Sequence, residues 1–169
     1  MDIKEYIGME LAGAERGINR VLDTVTQEEI IWRPACGCNS IGLILYHLAR
    51  SEDMFTYGAL QNKPQLWETG KWYNKLNVAE NEAGSHYTAE QVNAFPVPKL
   101  ADIMEYFQAV RAGTLAYLNS LKAEDFERKV TLPFGEFNVA GIFSIIVGHA
   151  AQHTGEISYL RGLQRGLDK

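Results

Sequence analysis

The chain has 169 residues, 46% apolar and 22% charged, which suits one globular domain over residues 1–169 with a sizeable core. Sixteen basic against 21 acidic side chains leave a net charge of −5, and no Lys/Arg cluster offers a phosphate-tracking face, so nucleic acid is not an expected partner. The N-terminus MDIKEYIGMELAG lacks the basic and apolar regions of a signal peptide, and no stretch approaches the roughly 18 apolar residues of a membrane span, so the sequence reads as cytoplasmic and without membrane contact.

Ile3, Ile7, Leu11, Ala14, Ile18, Val21 and Val25 recur at alternating three and four spacing behind Asp2, which predicts a one-sided helix with an N-cap. In TQEEIIWRP, Thr26 and Glu29 fit a capping box for a short turn that Pro34 closes. Cys36 and Cys38 in ACGCNS are too few and too close for a disulfide framework and read as reduced thiols. A second long helix starts at an Asn/Ser cap and runs to about Leu60, burying Ile41, Ile44, Leu48 and Phe55.

From Asn62 to Pro98 the periodicity dissolves, apart from a short capped helix in TAEQVNAF. That excursion, with Trp67, Trp72 and Tyr73, reads either as the wall of a pocket or as a surface crossover with packed aromatics. Leu100, Ile103, Phe107, Val110, Thr114, Leu118 and Leu121 predict a third long helix. KVTLPFGEFNV predicts a minor β-hairpin, and Asn138 a cap for a last helix from Val139 to about Leu163. The expected fold is all-α, a four-helix bundle with a long crossover between helices two and three and a hairpin before helix four.

The chain has only four histidines, and two of them lie in the last helix. At about 100° per residue, His149, His153 and Glu156 share one line with Ile142, Ile145, Ile146, Ile157, Leu160 and Leu163. They face the interior, where an imidazole needs a hydrogen-bond partner or a metal to offset its desolvation. A lone histidine there reads as a satisfied core residue. A pair at i and i+4 also has the geometry of helical metal sites, with packing as the alternative. His47, bordering the second helix's apolar stripe beside Leu43, Ile44, Ser51 and Met54, is the natural third ligand. His86 in the irregular AGSHY segment reads as a surface imidazole, and Cys36 and Cys38 stay open as thiolate ligands.

SIGLILYHLARSEDMF, preceded by IIWRP, and GHAAQHTGEISYL, preceded by FGEFNV, resemble the DinB-like family of bacterial metal-binding bundles over nearly the whole chain. The resemblance implies up-up-down-down connectivity, commonly as a homodimer, and a divalent metal, zinc or nickel among others, on His47, His149 and His153. Relatives include bacillithiol S-transferases and mycothiol-dependent maleylpyruvate isomerases, which implies a small-molecule substrate and a low-molecular-weight thiol as partner. Many other members have no assigned reaction.

Three neutral imidazoles leave a metal with an open coordination position, which fits catalysis better than a structural role. Water or a thiol there would be activated as hydroxide or thiolate, for hydrolysis or S-transfer. The competing function is a non-catalytic module that binds a metal or a stress ligand. Glu156, one turn beyond His153, is a candidate for orienting a histidine or accepting a proton. HAAQH carries Ala150 where a zincin has its general base, and no Glu-x-x-His pair supplies di-iron ligands, so those two enzyme classes are excluded.

Glu52, Arg111 and Arg161 read as ordinary ion pairs before substrate contacts. Trp32 reads as core or pocket lining. Gly141, Gly148, Gly155 and Gly162 recur every seven residues and suggest close approach of another helix, from this chain or a dimer mate.

Overall fold

Capping chemistry starts most of the helices. The computed structural model describes residues 2–166 and is mostly helical with one two-stranded antiparallel sheet; residues 1 and 167–169 of the expected domain lie outside the described residues. Helix α1 (Ile3–Leu22) begins where the Asp2 carboxylate accepts the Glu5 N–H at 2.8 Å and Glu5 returns the bond to the Asp2 N–H. Thr26 and Glu29 close the same box at α2 (Gln27–Ile31), and Ser40 accepts the Leu43 N–H at 3.2 Å to start α3 (Ile41–Asp53).

The second long helix is not uniform. Beyond Asp53 its last turns, Met54–Leu60, are π-helical. Hydrogen bonds from i to i+5 widen those turns, so Phe55 and Leu60, five residues apart, both become buried. Periodicity of 3.6 residues cannot reveal such a segment in advance.

The crossover holds α4 (Leu66–Thr69), α5 (Trp72–Leu76) and α6 (Ala89–Ala94), of which the sequence announces only α6, through the Thr88–Gln91 box. Trp67 is fully packed at 2% exposure. Helix α7 spans Leu100–Ser120 and is followed by a 3-10 turn at Ala123–Glu127. Strands β1 (Lys129–Leu132) and β2 (Gly135–Asn138) pair with Val130 opposite Phe137 across the turn residues Pro133 and Phe134. The Asn138 side chain then accepts the Gly141 N–H at 2.8 Å and starts α8 (Val139–Arg165).

Helix α1 packs on α8, and α3 packs on both α7 and α8. The apolar interior has two parts: Ile18, Ile30, Leu45, Phe107 and Ile157 belong to one, and Leu11, Phe55, Leu118, Ile142 and Phe143 to the other. Along α3 and α7 a polar belt falls between them. There the Glu52 carboxylate accepts Arg111 Nε–H at 2.8 Å and Nη2–H at 2.7 Å, and Arg111 Nη1 donates to the Leu11 carbonyl at 2.8 Å. Thr114 donates to the Val110 carbonyl, which leaves its oxygen to accept from the Thr56 hydroxyl at 2.8 Å.

Arg161 pairs with Glu29 at 2.7 Å, and Arg165 adds a second guanidinium to the same carboxylate. The two cations, Arg165 first, pull the Glu29 carboxyl down to about 2. Three expectations need correction. Trp32 is 38% exposed beside Glu28, Leu163 and Gln164, neither core nor part of the histidine site. Leu163 is 48% exposed, so the apolar line of α8 ends one turn earlier than its spacing suggests. Among the described residues no other helix approaches the glycine stripe, which removes the intrachain half of that expectation: a Cβ built on Gly148, Gly155 or Gly162 meets nothing within 4 Å. The close approach of α1 to α8 is at Gly17 instead, where a Cβ would lie 2.8 Å from Thr154 Cγ2.

Candidate metal centre

Helix α8 carries His149 and His153 one turn apart, and α3 brings His47 against them. The His47 and His149 Nε2 atoms are 3.1 Å apart, and those of His149 and His153 are 2.9 Å apart. One nitrogen from each ring lies within 4.8 Å of the other two, a group that could hold a metal ion. The rings are inclined at 70–88° to one another, so they meet edge to face and converge through their Nε2 edges.

Proton bookkeeping makes this arrangement unfavourable without a cation. The His47 Nδ1–H donates to the Gly84 carbonyl at 2.6 Å, and the His153 Nδ1–H donates to Glu156 Oε2 at 2.6 Å. Those bonds fix both neutral rings in the Nδ1–H tautomer and leave both Nε2 atoms as lone pairs. His149 can offer at most one Nε2–H between them, so at least one Nε2 lone pair is left without a donor. A single ion satisfies all three. Ligand nitrogens 2.0–2.1 Å from a tetrahedral ion would sit about 3.3 Å apart, close to the separations present. The donor set therefore fits a divalent cation.

Burial lowers His47, and burial together with the charges of His153 and His47 lowers His149 to about 4. The pH consequence has a definite sign. In the metal-free protein His149 stays neutral down to about pH 4, whereas the unfolded chain takes up that proton near pH 6.5. The unfolded state thus binds more protons in this window. Stability is full above about pH 6.5 and is expected to fall as pH drops towards 4. Thermal melts of chelated protein across that range check it, and His149→Ala should flatten the slope.

Two supports hold the ligand rings. Glu156 lies three residues beyond His153 on α8, and Gln152 also donates to it at 3.1 Å. Burial alone would raise the Glu156 carboxyl, but hydrogen bonds from Gln152 and His153, with electrostatic attraction to the His153 and His149 imidazoles, outweigh it and hold the carboxyl low. It is an anion facing His153.

The other support is the 80–84 segment, which carries the carbonyl that orients His47. Asp53 accepts the Leu66 and Trp67 N–H groups at 2.9 and 2.8 Å and the Tyr106 hydroxyl at 2.5 Å. The Trp67 indole N–H donates to the Glu80 carbonyl at 2.8 Å, and the Arg50 guanidinium stacks 4.3 Å from the Trp67 ring. Gly84 then lies against Arg50 with φ +77°, and a Cβ there would come within 2.8 and 2.9 Å of Arg50 Cβ and Cγ. Gly84→Ala combines that collision with a left-handed penalty of about 1–2 kcal/mol. It is expected to displace the carbonyl and weaken divalent-ion affinity about 10–100-fold. Chelator competition reads the affinity, with helical circular dichroism retained.

A cleft of about 300 Å³ opens on His47 and His153, with Asn39, Ser85, His86 and Tyr87 among its lining. A neighbouring hollow of about 200 Å³ includes Cys38, Glu156 and Tyr159. Asn39 and Ile44 border both. The sequence marks all three clustered histidines and Glu156. It misses Gly84, Arg50 and Asp53, whose only signals are a glycine in a loop and two charges in an apolar helix. It reads His86 correctly as exposed but not as part of the cleft wall. Neither cysteine belongs to the converging donor group; Cys36 is exposed and accepts the Asn93 amide at 3.0 Å.

The fold is thus helical, with three histidines that could hold a metal ion between two of its long helices. The family model of the DinB superfamily matches residues 10–157, and the chain belongs to that superfamily. A crystal structure of a conserved protein from Enterococcus faecalis has a similar fold, with a TM-score of 0.84 and 23% identity over 96% of this chain and 97% of that one. No curated protein matches the chain significantly.

Proposed function

We propose that His47, His149 and His153 hold one divalent ion, zinc or nickel, and that the protein is a metal-dependent enzyme acting on a small molecule. The observation that carries this reading is the convergence of three Nε2 atoms within 4.8 Å, two of them locked as lone pairs by bonds at Nδ1. When bound, the ion supplies a Lewis acid with at least one position left for water or a low-molecular-weight thiol. His47 is kept in register by the Gly84 carbonyl and His153 by Glu156. Glu156, half-buried and anionic, borders the neighbouring hollow and holds the His153 Nδ1–H, so a proton released at the ion would reach it from that side or through the His153 ring. The family resemblance supports S-transfer from a thiol as the reaction, and a cytoplasmic homodimer whose four long helices form one up-up-down-down bundle over residues 1–169.

Metal analysis of protein purified without added metal, followed by turnover assays pairing thiols with an electrophile, tests the reading. One ion per chain and metal-dependent turnover are expected. Absence of metal and of metal uptake would overturn it, and stoichiometric metal with no turnover would assign a binding module instead. Glu156→Gln keeps the volume and removes the charge. It is expected to fold normally and to lose metal affinity about 10–100-fold, or to lose turnover; unchanged values of both would assign Glu156 to packing.

A further inference from the structure

His86 shares the cleft with His47 and His153 but is not one of the converging donors. Its backbone is left-handed, with φ +59°, two residues after Gly84 at φ +77°. That conformation is strained for a residue with a Cβ, less so for histidine than for most, and such outliers cluster at sites where a ligand is clamped. Glycine would occupy the position with less strain. A packing role does not account for histidine here, because the residue is exposed.

The hydrogen-bonding inventory of the cleft narrows its role. No lysine or arginine lines the cleft among the described residues. His47 and His153 have their Nδ1–H groups committed to Gly84 and Glu156, and their Nε2 atoms point into the donor group. Asn39, His86 and the Ser85 and Tyr87 hydroxyls are then the lining groups left to donate to a ligand, and His86 is the ring among them that combines exposure with a left-handed backbone. His86 and His47 line the same cleft, so the two rings face one ligand space.

We infer that His86 is a ligand-contacting residue whose ring donates a hydrogen bond to a small anion or thiolate held at the open coordination position. This rests on the metal-centre reading. The left-handed turn is the device that swings the imidazole to the cleft from a loop anchored at Gly84.

Cobalt-substituted protein, titrated with azide and followed by its visible absorption, tests the inference without an assay of turnover. His86→Gly removes the ring and relieves the backbone. It is expected to melt no lower than wild type, to keep one cobalt per chain, and to bind azide about tenfold more weakly, the loss of one hydrogen bond to a charged group. His86→Asn, which tolerates the same backbone and keeps an N–H donor, is expected to recover part of that affinity. Azide affinity within about twofold of wild type in His86→Gly would overturn the inference, the effect being well below that of such a bond. So would loss of cobalt, since His86 would then act on the ion and not on its ligand. Failure of the wild-type chain to take up cobalt would overturn the metal centre itself, and the inference with it.

Discussion

Glu52→Ala is expected to lower the unfolding free energy by about 3–5 kcal/mol, read by denaturant or thermal unfolding. Glu52 is 2% exposed and Arg111 is 3% exposed, so removing the carboxylate strands a guanidinium with the Leu11 carbonyl as its remaining hydrogen-bond partner and the Phe107 ring 5.1 Å away. The size of the effect comes from the uncompensated charge left behind, not from the worth of the pair itself. Replacing both residues together by leucine and methionine should therefore be far milder and could come out close to neutral. A loss below about 1 kcal/mol in the single variant would match an exposed ion pair and would contradict the buried geometry.

Replacing both His149 and His153 by alanine is expected to abolish stoichiometric metal binding while leaving the helical circular dichroism in place. Even the loss of a group that merely orients a ligand lowers metal affinity about 10–100-fold. Loss of two of three donors must exceed that, because His47 alone leaves the ion almost wholly to water. The fold should persist because the two apolar groups draw on α1, α3, α7 and α8 alike and contain neither histidine. Metal analysis after dialysis checks the first part, and full occupancy in the double variant would refute the centre. Collapse of the helical signal would refute the second.

Elements governed by local chemistry were legible in the sequence. Asp2, Thr26, Ser40, Thr88 and Asn138 each cap the helix their side chains predict, because a cap needs only a side-chain oxygen and the next turn of backbone. The 149/153 pair was legible for the same reason, since both rings share one helix. His47 was legible as a candidate through its place beside an apolar stripe. Features set by distant partners were not. The π turns of Met54–Leu60 go with α7, across which Thr56 meets Thr114 and Tyr57 covers Gly113. Gly84 becomes intelligible only once Arg50 lies beneath it, and His86 only once its loop has folded back over α3. Trp32 and Leu163 misled because a large apolar side chain in a regular pattern carries no mark of which face the fold leaves uncovered.

The glycines of α8 have a consequence for when the histidine pair comes into being. Gly141, Gly148, Gly155 and Gly162 each weaken an isolated helix by up to about 1 kcal/mol relative to alanine, and the β-branched residues Val139, Ile142, Ile145, Ile146, Val147 and Ile157 lower its intrinsic preference further. Nothing near Gly148, Gly155 or Gly162 compensates locally. Excised as a peptide, α8 would be mostly coil in water, and His149 and His153 would seldom adopt their one-turn spacing. Contact with α1 and α3 is what makes the segment helical in the protein. Chelating geometry is thus a product of tertiary assembly, and the order of events runs from collapse to site to ion, the reverse of a zinc finger, whose ion assembles its fold.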